Sequence, residues 1–400
     1  MIKDKINTLV VVAYGEPYPK KVLVDTFFRG LLNIPYEGYL EGLTRRQLKE
    51  NSIIRRMLSN PYEKLSYLQD WLDAISRSEQ LKVKICNINN LIEYMVSLKN
   101  LRDYDLILLM HSVIGDDCRL IKATARHYLK RKGKIATFIG NEYDLMTAKK
   151  ELLVSMNSDY ICTQLPLTTG KWLYEDIDAA SVLPMPHGLN QRKYHDQERF
   201  RQFDLGFIGT DYPLWVGDVE RKKFLEMMNN YTLKNKIKTD IRIGTSNLTR
   251  NEWAKFLNRA KGVIGSESGT YYLDKSGSLI AEAKKMLESE PHLTEEDLYR
   301  KIFKMTTKDY RSGKSISSRH FEPIGTKTCQ ILLEGQYNNL LIPGKHYLSV
   351  KKDYSNIEEI IKKFQDEERR RLIVDEAYNY VREHHTYDIR VKSLVNFIFG

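Results

Sequence analysis

The chain has 400 residues, 42% hydrophobic and 29% charged, with 63 Lys and Arg against 52 Asp and Glu for a formal net charge of +11. Its length and apolar content suffice for two cores, and with no uninterrupted apolar run of about 18 residues it offers no membrane-spanning helix. Cys86, Cys118, Cys162 and Cys329 show neither C-x-x-C spacing nor a His at ligand spacing, which gives no zinc site and fits a reducing compartment; the surplus of cations admits a polyanionic partner, either nucleic acid or an anionic membrane face.

Residues 8–13 are a β-branched run that predicts a buried parallel strand, broken at Tyr14-Gly15-Glu16-Pro17 before a helical stretch over 20–32. No small-residue cleavage site follows, so this opening reads as a first strand and not a signal peptide, and predicts a cytoplasmic protein. A strand that ends in a glycine turn before a helix begins an open α/β sheet. Ligands bind at such carboxyl ends, which makes Gly15 a candidate substrate-binding residue. Residues 35–80 set Arg45, Arg46, Lys49, Arg55 and Arg56 among apolar positions at helical spacing. This basic amphipathic surface reads first as a solvated helix face, with peripheral contact with an anionic inner membrane face as the alternative.

Strands are expected over 81–88, 105–111, 134–139 and 160–164, with helices over 91–99, 116–132 and 145–156, a repeating βα pattern. Polar residues gather at the carboxyl ends: His111 after one strand, Asn141 and Glu142 after another. Residues 181–190, Ser-Val-Leu-Pro-Met-Pro-His-Gly-Leu-Asn, give a short strand and turn carrying His187, and 191–203 are charged without an apolar period, as a linker would be. A second sheet begins at 203–210, where Gly206 and Gly209 allow close backbone approach, and Arg221 opens the next helix as a candidate phosphate ligand. A strand over 239–244 and a helix over 250–260 with Trp253 and Phe256 on one face precede a strand that runs into Glu267-Ser268-Gly269. Residues 274–305 read as a helical insertion with a capping sequence at Thr294-Glu-Glu-Asp297, and the chain closes with helices over 356–368, 368–384 and 391–399.

The stretch Ser315-Ile-Ser-Ser-Arg319-His-Phe-Glu322-Pro-Ile-Gly325-Thr326 is a polar loop entering a short helix near Ser318, followed by a buried strand over 329–333 and the turn Pro343-Gly344-Lys345. A helix start offers free N–H groups, and beside a guanidinium these suit a phosphate. An acid on the first turn offers an acceptor-only group to a pair of hydroxyls. A nucleoside diphosphate sugar makes both demands. The competing reading of Arg319 and Glu322, three apart, is a surface ion pair on a helix.

These residues resemble the donor-binding half of group 1 GT-B glycosyltransferases, most closely the CgeB-like subset, where an Arg-x-Phe-Glu pattern marks the nucleotide-sugar site. In the wider retaining family a pair of glutamates carries this region. Glu322 matches the second, the first falls on Lys314, and Glu267 is a candidate to take over its work; Lys327 stands where the relatives tend to have Gly. The likeness covers about 203–350, the first half agreeing in architecture. It implies an α/β GT-B architecture of two Rossmann-like domains whose parallel sheets face each other across a cleft. Residues 1–190 would bind the acceptor, 203–375 the nucleotide sugar, and 376–400 would return as a helix to the first domain.

The implied activity is a hexosyltransferase that moves a sugar from a UDP or GDP sugar to a hydroxyl of a glycan, lipid-linked or protein acceptor in surface glycan or glycoconjugate synthesis. It would retain anomeric configuration and use no metal or other cofactor. The candidate catalytic residues are His111, Glu267 and Glu322. The candidate substrate-binding residues are Gly15, Asn141, Glu142, His187, Gly209, Arg221, Ser268, Gly269, Ser318, Arg319, Gly325 and Thr326. The alternatives are a nucleotide-sugar epimerase of the same fold and a non-enzymatic, basic nucleic-acid-binding protein.

Overall fold

The computed structural model describes residues 5–13, 66–115, 118–209, 212–244 and 248–400. Gly15, the helix expected over 20–32 and the basic stretch from Arg45 to Arg56 lie outside them. In the first half the described elements are β1 (Ile6–Val12), α1 (Ser66–Arg77), β2 (Leu81–Asn87), α2 (Leu91–Lys99), β3 (Leu106–Leu109), α3 (Arg119–Thr124), β4 (Lys134–Phe138), α4 (Met146–Ser155), β5 (Tyr160–Thr163), α5 (Leu167–Leu173) and β6 (Ser181–Pro184). The six strands form one parallel sheet in the order β2-β1-β3-β4-β5-β6.

The inner strands are covered on both faces, which is why β1 and β3 carry apolar runs, whereas the edge strand β2 alternates Leu81, Val83 and Ile85 with Lys82 and Lys84. Leu9 and Val11 of β1 face Tyr94 and Leu98 of α2 and Leu152 and Leu153 of α4. Val10 and Val12 face the opposite layer, built by Trp71, Leu72 and Ile75 of α1. The helix expected over 116–132 is shorter than its pattern, since α3 passes at Ala125 into a 3-10 turn, Ala125–Lys130.

The second half contains β7 (Phe203–Gly209), α6 (Val219–Lys234), β8 (Thr239–Ile243), α7 (Arg250–Leu257), β9 (Ala260–Gly265), α8 (Ser278–Ser289), α9 (Glu295–Leu298), α10 (Ser318–Gly325), β10 (Cys329–Leu333), β11 (Leu348–Val350), α11 (Ile357–Gln365) and α12 (Glu367–His384). Its five strands are again parallel, in the order β11-β10-β9-β7-β8. Leu205 and Phe207 of β7 pack on Phe224, Leu225 and Met228 of α6, and Phe203 and Ile208 pack on the layer of α7, α10 and α12. A Cβ at Gly206 would stand 2.6 Å from Phe256 Cζ, so a glycine there lets α7 lie close on β7. The insertion over 274–305 is α8, α9 and a π-helical turn, Tyr299–Lys304, around a small core of its own.

Between the sheets, 185–202 hold no regular element. The chain recrosses at its end: Leu189 bridges Thr386, and α13 (Tyr387–Phe399) buries Tyr387, Val391, Leu394 and Val395 against Trp71 and Ile75 of the first domain. Arg77 of α1 pairs with Asp388 at 3.1 Å. α12 continues unbroken to His384, and α13 opens after Thr386. Among the described residues no helix is long and apolar enough to cross a membrane.

Candidate active site

A cavity of about 460 Å³ lies where the carboxyl ends of the two sheets meet. Its first-domain wall is made by residues that follow β3, β4, β5 and β6, and its second-domain wall by β7, the segment after β9 and the start of α10. In open parallel sheets this crevice is where ligands bind.

On the first wall, the His111 and His187 rings lie 5.5 Å apart between centroids, with the Tyr67 ring 4.5 Å from His187. Both imidazoles are buried, and among the described residues neither ring nitrogen of His111 has a hydrogen-bond partner. Burial pulls His111 down to about 3 and, with His111 and Arg390 nearby, holds His187 well below its ordinary value. Both imidazoles are therefore neutral at neutral pH.

Beside it, the turn after β4 is fixed from below. Lys149 of α4 is wholly buried, and its ammonium donates to the carbonyl oxygens of Gly140 at 2.6 Å and Asn141 at 2.9 Å. Asn141 takes a left-handed φ of 46°. Glu142 accepts from the Tyr174 hydroxyl at 2.7 Å and from the Gln164 backbone N–H at 2.9 Å, which ties the turns after β4 and β5 together. Its carboxyl is pushed up by burial, those donors opposing the rise.

The second wall is ordered by two devices. Ser268 and Ser315 exchange backbone hydrogen bonds of 2.9 Å, and Gly269 turns beneath them with φ 97°, where a Cβ would stand 2.4 Å from the Gly313 carbonyl oxygen. At the head of α10, the Ser317 backbone N–H donates to His320 Nδ1 at 3.0 Å. The proton of that ring then sits on Nε2, which donates to the Ser266 carbonyl at 3.1 Å. Burial lowers His320 to about 4, so it serves as a neutral brace.

Two guanidinium groups face the cavity. Arg319 lies with its guanidinium carbon 3.9 Å from the Trp253 ring centroid, and Arg221 lies 4.6 Å from that of Tyr212. Among the described residues, Arg319 Nη1 and Arg221 Nε have no hydrogen-bond partner. An added Cβ at Gly209 would stand 3.0 Å from Phe207 and 3.8 Å from Arg221 Nη2, so the glycine keeps the space before that guanidinium open.

The structure thus gathers His111, Asn141, Glu142, His187, Gly209, Arg221, Ser268, Gly269, Ser318 and Arg319 around one cavity. Glu267, Glu322, Gly325 and Thr326 are outside its lining. Glu322 is buried, accepts the Trp253 indole N–H at 2.6 Å and stands 3.9 Å from Arg319 Nε, an arrangement unlike an exposed surface pair. Glu267 accepts the Tyr337 backbone N–H at 2.7 Å and packs against Gly335. Lys314, at the position of the first family glutamate, is buried in a pair with Asp218. Gly325 abuts Leu189 and Tyr194, leaving only 2.5 Å for a Cβ, and Thr326 donates to the Pro323 carbonyl at 3.0 Å. Those two form a joint beneath the site and not its wall. Among the described residues, no group of three or more His, Cys, Asp or Glu side chains is placed to hold a metal ion.

Sequence reading missed a network behind the cavity. Arg250 Nη2 of α7 meets Asp70 Oδ1 at 2.6 Å and Asp73 Oδ2 at 2.5 Å, and Asn190 Nδ2 donates to both at 2.8 and 2.9 Å. The signal was present as two acids three apart within the apolar run Trp71-Leu72 to Ala74-Ile75, on a helix face bound for the interior. Lys149 was missed likewise, its sequence context being an ordinary helical Lys-Lys pair.

Residues 246–396 match the family of glycosyl transferase-like proteins. Over these residues the chain is similar to that family, and the two facing parallel sheets with a returning last helix have the layout of a GT-B fold. No curated protein sequence matches the chain. Among solved structures, Anabaena HepE in complex with UDP-glucose is similar with a TM-score of 0.47 and 7% identity, over 98% of this chain and 99% of that one. T4 phage BGT in complex with its UDP-glucose substrate is similar with a TM-score of 0.47 and 10% identity, over the same shares. A DNA modifying enzyme, beta-glucosyltransferase, solved in the presence and absence of uridine diphosphoglucose, has a TM-score of 0.49 and 11% identity, over 98% and 99%.

Proposed function

We propose that this GT-B protein is a glycosyltransferase that moves a hexose from a nucleoside diphosphate sugar to an acceptor hydroxyl, the second domain holding the donor and the first the acceptor. The observation that carries the reading is the pair Arg221 and Arg319, each with an unpartnered N–H, at the cavity where α10 begins. A diphosphate supplies the acceptors these donors lack.

In the reaction the bond from the sugar's anomeric carbon to the β-phosphate oxygen breaks, and a bond from that carbon to the acceptor oxygen forms. The electron pair stays on the diphosphate. Cations and helix-start N–H groups preorganised there favour the transition state over the bound donor, and that difference lowers the barrier. We place the acceptor against His111 and His187. Front-face attack, with the acceptor proton passing to the leaving phosphate oxygen, would retain the anomeric configuration, and His111, which burial keeps neutral, would position the acceptor. In this scheme Glu322 supports the donor site through Trp253 and Arg319, and neither a metal nor another cofactor takes part.

The test is turnover with UDP, GDP, dTDP and ADP sugars, each with and without a glycan, lipid-linked or peptide acceptor, followed by NMR. Acceptor-dependent release of nucleoside diphosphate that survives EDTA, with a retained anomeric signal in the product, is expected. An epimerised donor formed without acceptor would favour the epimerase. Absence of any reaction together with salt-sensitive binding to nucleic acid would favour the nucleic-acid reading.

A further inference from the structure

The buried contact between the domains does not stop at the interface. Arg250 and Trp253 are three apart on α7 and so share a face. Arg250, its side chain 12% exposed, is clamped by Asp70 and Asp73 of α1, with Asn190 of the inter-sheet segment donating to both acids. One turn on, Trp253 donates to Glu322 of α10 and carries the Arg319 guanidinium on its ring. A chain of direct contacts therefore runs from first-domain carboxylates to a cation that faces the cavity.

Resting on the donor-site reading above, we propose that Arg250 is a positioning residue through which the first domain sets Arg319. The donor site is complete only when α1 holds α7 in register, because the ring that supports Arg319 and the indole that fixes Glu322 move with that helix. Coupling of this kind is reciprocal: whatever stabilises the Arg250 clamp strengthens diphosphate binding, and bound diphosphate stabilises the clamp. Asp70, Asp73, Asn190 and Arg250 are then the means by which a domain that does not touch the diphosphate controls its affinity.

The experiment compares wild type with Arg250→Met, Arg250→Lys, Asp73→Asn and the control Lys284→Met. The control breaks another inter-domain pair, Lys284 with Asp144 at 2.5 Å, away from the chain of contacts. UDP, GDP, ADP and dTDP affinities are measured by calorimetry and backbone exchange over 318–325 by mass spectrometry. Arg250→Met should weaken the nucleotide that binds by about tenfold or more and speed exchange over 318–325. Arg250→Lys should restore part of both, and Lys284→Met should change neither, even where it lowers the melting temperature. The inference is overturned if Arg250→Met lowers the melting temperature while affinity stays within twofold and exchange over 318–325 is unchanged. Should wild type bind none of the four nucleotides, the donor reading fails on its own, and exchange alone still decides whether Arg250 controls α10.

Discussion

Arg319 lies on the Trp253 ring, its guanidinium carbon 3.9 Å from the centroid, with Nη1 left unpartnered beside the cavity. The aromatic face fixes the plane of the fork and leaves its outer edge for a ligand. Burial lowers the group from its ordinary value, against the pull of Glu322, without taking it out of the cationic range. Arg319→Met should therefore weaken nucleoside diphosphate binding by about 1.5–3 kcal/mol, the scale of a charged hydrogen bond, and Arg319→Lys should recover less than half of that loss. Calorimetric titration checks both.

Glu322 separates support from recognition. Glu322→Ala leaves the buried Trp253 indole N–H without its 2.6 Å acceptor and should cost roughly 1–3 kcal/mol of stability as well as donor affinity. Glu322→Gln keeps an acceptor carbonyl for the indole but removes the charge beside Arg319. It should restore most of the stability, read by urea unfolding. Equal stability loss in both variants would show that charge, and not the indole bond, is what Glu322 supplies.

The ammonium of Lys149 satisfies two carbonyl groups in the turn that presents Asn141 and Glu142. Lys149→Met keeps the length of the stem and removes both donors. A stability loss of about 2–4 kcal/mol is expected, with a rise in KM for the acceptor larger than that for the donor.

Asp70 gives the fold a signature with pH. Burial lifts its carboxyl to about 7, Arg250 and Asn190 opposing while Glu322 and Asp73 add to the rise, and Tyr194 and Tyr387 lie in the same cluster. The folded value lies above the ordinary 3.8, so the contribution of Asp70 to stability is fully present below about 4 and is lost as pH rises through about 7. His111, His187 and His320 act in the opposite sense: their folded values lie below 6.5, so their contribution is present above 6.5 and lost on acidification. The stability of wild type relative to Asp70→Asn should fall between pH 5 and 8. Urea unfolding at each pH measures it, and a flat difference would contradict the assignment.

The strand positions were legible because a parallel sheet covered on both faces needs apolar runs such as Leu9 to Val12 and Ile331 to Leu333, and these stand out against charged helices. The Arg319 helix was legible for a local reason, a serine-rich loop entering a helix with its acid one turn in. What the sequence concealed was non-local. Gly325 reads as a ligand-binding turn until Tyr194 and Leu189, more than a hundred residues away, are seen to fill the space beside it. Glu267 reads as a free acid until the Tyr337 N–H occupies it. Arg250 looks like an exposed helix start because its partners Asp70 and Asp73 belong to the other domain.

The central claim, that Arg221 of α6 and Arg319 at the head of α10 form a diphosphate site, is tested most directly by calorimetric titration of wild type, Arg221→Met and Arg319→Met with UDP, GDP, ADP and dTDP. The account predicts saturable binding of at least one nucleotide to wild type, weakened roughly tenfold or more by either substitution, with salt reducing the wild-type affinity more than that of the variants. Wild type that binds none of the four, or a nucleotide affinity that neither substitution changes, would contradict it.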